Sequence, residues 1–170
     1  STTDLWPWSL SLTSRRLLVT SASLGGVNNS LFVFGSDGVQ LKHISLSNMR
    51  LRHAMETLHE TFIVCHDTSS QSQVCEVDVA GHVIRVYCDH HQLDSPRYLA
   101  LDSDGRVLVA DEQKHRVLLL NSRLELERVL LDTEHHQLVQ SPQRLCYVEQ
   151  TRQLVVAGYY SHVIQVYRIR

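Results

Sequence analysis

The chain has 170 residues, 43% of them hydrophobic and 20% charged, with 16 basic and 18 acidic side chains for a net charge of −2. That composition supplies a core, excludes wholesale disorder and leaves no global electrostatic footprint of a nucleic-acid binder. The longest uninterrupted apolar runs, among them 31–34, 117–120 and 154–157, are four residues long, far short of the roughly 20 that a membrane-spanning helix needs.

Taken in chain order, the apolar runs repeat. Unit one, residues 5–46, opens on a strand at 5–12, continues to a run closed by Val19-Thr20-Ser21, resumes at Leu31 and turns at Ser36-Asp37-Gly38. Unit two, 49–88, closes its second run at Val64-Cys65-His66, resumes at Val74 and turns at Val79-Ala80-Gly81. Unit three, 95–131, predicts strands at 98–102, 106–110, 116–120 and 124–130, with Ser103-Asp104-Gly105 as the first turn. Unit four, 141–170, closes its second run at Val156-Ala157-Gly158 and resumes at Val163. The closing runs lie 45, 45 and 47 residues apart, and the resuming ones 43, 43 and 46 apart. The connectors agree, because His90-His91-Gln92-Leu93 before Ser95-Pro96 returns as His135-His136-Gln137-Leu138 before Ser141-Pro142. Short runs of Val, Leu, Ile and Tyr between polar turns read as strands, and four antiparallel strands in 40 to 50 residues are the mark of a propeller blade. The expected fold is an all-β propeller of about four blades.

Residues 95–120 resemble an NHL repeat: Pro96, Asp102 and Gly105, an apolar strand ending in Ala110-Asp111, a polar turn ending in His115-Arg116, and another apolar strand. Unit four is a degenerate copy in which Gly158 and Glu149 replace the two aspartates, while units one and two keep the rhythm and little else. The resemblance implies a domain like those at the C-termini of tripartite-motif proteins, which hold proteins or single-stranded RNA on one face. By register, unit four stops at its third strand. Three arrangements stay open: part of a larger propeller with further blades upstream, a closed ring of four, or a homodimer of two arcs.

Beginning with Ser and showing no signal-peptide pattern, the chain is expected to be processed or excised. Cys65, Cys75, Cys88 and Cys146 contain no Cys-x-x-Cys pair, so reduced thiols and a cytoplasmic chain are expected. The glycosylation pattern Asn28-Asn29-Ser30 is too short to outweigh this. The paired histidines have no metal-ligand spacing, no Gly-x-Ser-x-Gly elbow occurs, and Gly25-Gly26 lacks the lysine of a phosphate loop. Asp102 and Asp111 sit where carboxylates cap turns. No metal, no cofactor and no enzymatic activity are expected.

A binding surface is expected where the connectors and the turns between second and third strands share one propeller face. It would carry Arg50, Arg52 and His53 from unit two; Arg97, Tyr98, Gln113, Lys114, His115 and Arg116 from unit three; and Arg144, Tyr159, Tyr160 and His162 from unit four. Six fixed positive charges there face chiefly Asp67, Asp94 and Glu112. The expected function is a non-catalytic module that recognises a protein partner, with Tyr159-Tyr160 as an aromatic anchor. Single-stranded RNA, stacked between tyrosines and guanidinium groups, is the alternative.

Overall fold

Alternating apolar and polar residues, interrupted every few positions by Gly, Asp, Asn or Thr, give short strands joined by tight reversals. The computed structural model describes residues 5–13, 16–23, 28–68, 70–87, 93–134, 140–159 and 163–169. Apart from one 3-10 turn at Glu149–Thr151, its regular structure is entirely β. The chain divides into two compact units, Ser1–Val86 and Tyr87–Arg170.

In the first unit, sheet 1 holds β1 (Leu5–Leu12), β2 (Arg16–Ser23), β3 (Asn28–Gly35) and β4 (Gln40–Ser47) in sequential order. Sheet 2 holds β5 (Arg50–Glu56), β6 (Phe62–Asp67), β7 (Ser72–Val77) and β8 (Val83–Val86) in the same order. All pairings are antiparallel. One face of sheet 1, through Leu18, Leu31, Val33, Ile44 and Leu46, packs on one face of sheet 2, through Leu51, Ala54, Phe62, Val64, Cys75 and Val77. Ser11 Oγ reaches Met55 Sδ across this seam at 3.0 Å.

In the second unit, sheet 3 holds β9 (Pro96–Leu101), β10 (Val107–Asp111), β11 (Arg116–Leu120) and β12 (Leu126–Asp132). Sheet 4 has three strands, β13 (Pro142–Val148), β14 (Gln153–Gly158) and β15 (Ile164–Arg168). Ala100, Leu108, Ala110, Val117 and Leu119 pack against Leu145, Leu154 and Val156, with Tyr98, Tyr147 and Tyr167 closing the margins. The fold class is the β-propeller, with four antiparallel sheets of blade type, two to each unit.

One turn recurs and explains the punctuation. At Gly35, Thr57, Asp78, Asp102 and Asn121 the amide donates to the carbonyl four residues on, and a left-handed residue follows three positions after: Gly38, Glu60, Gly81, Gly105 and Leu124. The Asx side chains secure it, since Asp102 Oδ1 accepts the amides of Asp104 (3.0 Å) and Arg106 (2.8 Å), and Asn121 Oδ1 accepts those of Arg123 and Glu125. This turn corrects one predicted boundary. Leu124, expected to start the fourth strand of unit three, is instead the buried left-handed corner at φ 62°, and β12 begins at Leu126. Glycine is required most at Gly81, where φ is +87° and an added Cβ would lie 3.0 Å from the Ser45 carbonyl oxygen.

Candidate functional site

Each sheet carries a bulge near the start of its first strand, one to three residues in. The registers skip Trp8 between Pro7 and Ser9, Arg52 between Leu51 and His53, Arg97 between Pro96 and Tyr98, and Gln143 between Pro142 and Arg144. A bulge re-aims the extra side chain out of the pleat's alternation. These four residues therefore stand apart from the core at the sheet end where the connectors enter.

In the first unit, Arg52 lies over the Trp8 ring at 5.3 Å and its Nε donates to Asp67 Oδ2 at 2.7 Å. Ser72 Oγ donates to the other carboxylate oxygen at 2.8 Å. The second unit builds the same pair from Arg97 and Glu112. Glu112 also accepts the Gln143 amide of the next sheet at 2.7 Å. Burial works against its charge, but the donors on Arg97, Gln143 and Ser95 together hold the Glu112 carboxyl below the usual range. One residue earlier, Asp111 is fully buried; its Oδ1 accepts the Asp94 amide and its Oδ2 the Arg116 Nε, both at 2.8 Å. Burial pushes this carboxyl up, with Arg116 and the amide opposing. Its counterpart in sheet 2, 45 residues earlier, is His66, buried with neither ring nitrogen in a well-aligned hydrogen bond among the described residues. Burial depresses the His66 pKa, with Asp67 opposing.

Placed in this frame, the expected surface residues separate. Arg50 is exposed at the head of β5. Arg52, Arg97 and Arg116 are held by Asp67, Glu112 and Asp111. His53 does not reach the surface: the Arg52 bulge shifts the alternation, His53 comes opposite Cys65, and its side chain is fully buried. Gln113 and Lys114 are exposed in the β10–β11 turn. His115, left-handed at φ 49°, accepts the Ser141 amide on Nδ1 at 3.0 Å, which places its neutral-ring proton on Nε2. Arg144 is exposed and stacks over the half-buried Tyr98 ring at 5.4 Å. Tyr159 is 60% exposed. Tyr160, His162 and both histidine pairs lie outside the described residues. Asp102 does cap its own turn, whereas Asp111, expected to do the same, instead reaches back to the Asp94 amide 17 residues earlier and to Arg116. Trp8, Gln143 and the acids' role as bulge partners were missed; the signal was present, since Trp8, Arg52, Arg97 and Gln143 are spaced by 44, 45 and 46 residues. Among the described residues no group of three or more His, Cys, Asp or Glu side chains is placed to hold a metal ion.

No protein-family model matches the chain and no curated protein matches its sequence. Solved structures do. A Bacteroides caccae protein of unknown function aligns over 97% of this chain and 61% of its own, at 14% identity and a TM-score of 0.59. A luciferin-regenerating enzyme aligns over 88% of this chain and 52% of its own, at 16% identity and 0.62. A streptogramin B lyase aligns over 99% and 70%, at 13% identity and 0.55. The chain thus spans about half to seven tenths of the length of these proteins. At such identities the likeness is one of fold alone. It nevertheless overturns the expectation that enzymatic activity is excluded: a regenerating enzyme and a lyase share this fold across most of the chain, so missing serine, metal or glycine-loop motifs are no ground for ruling catalysis out.

Proposed function

We propose that the chain is a recognition module that binds a protein partner at the connector end of its second unit, where Tyr159 and the Arg144–Tyr98 stack stand beside Lys114. The observation that carries this reading is the state of the charges. Of the six cations expected on this surface, Arg52, Arg97 and Arg116 are matched by carboxylates of the same sheet. Arg50, Lys114 and Arg144 form no salt bridge with a carboxylate among the described residues. A phosphate backbone is bound through many unneutralised cations, whereas exposed Tyr beside a stacked Arg is the composition of a protein hot spot. The repeats are read here as NHL-type, as in tripartite-motif proteins, supported by the turn-closing roles of Asp102, Asp111 and Arg116.

A photo-crosslinking residue at Tyr159 or Arg144 should capture one and the same protein in cells, and Tyr98→Ala should abolish the capture. A crosslinker at Ser103, at the opposite end of sheet 3, should not capture it. No common protein above the Ser103 control would sink the reading. Salt-sensitive retention of a random single-stranded RNA pool, lost on Arg144→Ala, would replace it with the RNA alternative.

A further inference from the structure

The entrances to sheets 3 and 4 are built alike and held differently. Each begins on a left-handed serine, Ser95 at φ 68° and Ser141 at φ 53°, 46 residues apart. Each serine carbonyl accepts the amide that follows its sheet's second strand, from Glu112 at 3.1 Å and from Tyr159 at 3.0 Å. Sheet 3 secures its connector further with a carboxylate, since Asp111 Oδ1 accepts the Asp94 amide at 2.8 Å. Sheet 4 has no such means, because Gly158 stands in the place of Asp111 and carries no side chain. Its connector is held from sheet 3 instead, where His115 Nδ1 accepts the Ser141 amide at 3.0 Å.

That acceptor exists only while the ring is neutral. An imidazolium carries a proton on both nitrogens and accepts on neither, so protonation sets one donor against another at Ser141. Histidine is the side chain that ordinarily changes charge between about pH 5 and 8, and His115 is half-buried, within reach of solvent. Its own turn brings Asp111 paired with Arg116, Glu112 paired with Arg97 of β9, and Lys114. The connector into β9 brings Asp94, and sheet 4 brings Arg144 and Tyr159. Carboxylates ordinarily titrate below the histidine range, and Lys, Arg and Tyr above it. Asp111 is the carboxyl that burial pushes up toward it.

We propose that His115 is an acid-sensitive latch: a proton on its ring frees the Ser141 amide and loosens the entrance to sheet 4, and with it the Tyr159 amide that Ser141 holds, while the entrance to sheet 3 stays closed. The latch stands on this geometry alone; its consequence, release of a partner in acid from a surface that includes Tyr159, rests on the binding reading above. Nuclear magnetic resonance of the 170-residue chain tests it. At neutral pH a nitrogen–nitrogen coupling should join the Ser141 amide to His115 Nδ1, and it should vanish as the ring titrates. The Ser141 and Tyr159 amides should then exchange with solvent at least about tenfold faster, after correction for the intrinsic pH dependence of exchange, and the Glu112 amide should not. His115→Asn, whose side-chain oxygen accepts but does not ionise, should abolish that response. A ring proton on Nδ1 at neutral pH overturns the proposal, as do Ser141 and Tyr159 amides indifferent to the titration of His115. A response that survives in His115→Asn and disappears in Asp111→Asn would assign the sensitivity to Asp111 and overturn it equally. With the latch observed, equal capture of a protein by the Tyr159 crosslinker at neutral and acid pH would remove its link to binding, and no capture at either would sink the binding reading and leave the latch standing.

Discussion

Sheets 2 and 3 carry the same device with different contents. Both place an arginine on the first-strand bulge and an acid where the second strand ends, Arg52 with Asp67 and Arg97 with Glu112. They differ one residue earlier. Asp111 ties the Asp94 amide and the Arg116 guanidinium together, whereas the buried His66 ring makes no well-aligned hydrogen bond among the described residues. The pair on the bulge is thus what these two sheets share, and the buried aspartate is specific to sheet 3. Sheet 2 relies on apolar packing at that corner, with Leu51 opposite His66.

The comparison breaks most severely at Asp111. Asp111→Ala leaves Arg116 half-buried without its carboxylate and the Asp94 amide without its acceptor, and should lower urea-unfolding stability by about 3 kcal/mol. His66→Leu at the matching site removes buried ring nitrogens that make no well-aligned hydrogen bond and should be neutral or stabilising by up to about 1 kcal/mol. Equal losses at the two sites would show that they are not different devices.

The turns sharpen the contrast at a smaller scale. Gly81→Ala meets both a left-handed φ and the Ser45 carbonyl, and should cost about 2 kcal/mol. Gly105→Ala, equally left-handed at φ +74° but with its nearest atom, Ser122 Cβ, at 3.7 Å, should cost about 1 kcal/mol. Paired thermal melts of the two variants test the order.

The remaining effect is in pH. The folded His66 pKa lies below its unfolded value near 6.5, so the unfolded chain takes the proton first as pH falls. Its contribution is present above pH 6.5 and is lost below it, at up to about 1.4 kcal/mol per pH unit, until the folded pKa is passed. Melting temperatures at pH 7 and pH 5 should therefore differ less in His66→Leu than in the parent chain. An unchanged difference would remove His66 as its source.

Strand rhythm and turns were legible because local chemistry decides them: β1 spans the expected 5–12, and Asp102 closes its turn with backbone bonds that any Asp-x-Asp-Gly stretch offers. The bulges were legible only in the repeat spacing of Trp8, Arg52, Arg97 and Gln143, because an extra residue in one strand is set by its partner strand and leaves no mark on composition. That is why His53 was expected beside Arg52 on the surface and lies inside. The positive surface was overcounted for a related reason, since Asp67 and Asp111 neutralise their arginines only after neighbouring strands are paired. The expectation that catalysis is excluded fails because absent motifs do not rule it out on a fold that enzymes with little sequence in common with this chain also adopt.

The bulge row has one more consequence. Trp8, Arg52, Arg97 and Gln143 differ in size, charge and hydrogen-bonding capacity, yet each sits outside the pleat while its neighbours keep the core register. Exchange at such a position alters what this end of each sheet displays without moving a single buried side chain between faces. The chemistry presented there differs sheet by sheet, and the freedom to change it is unequal: exposed Trp8 can be exchanged at little cost, whereas loss of Arg97 would leave the buried Glu112 carboxylate without its guanidinium.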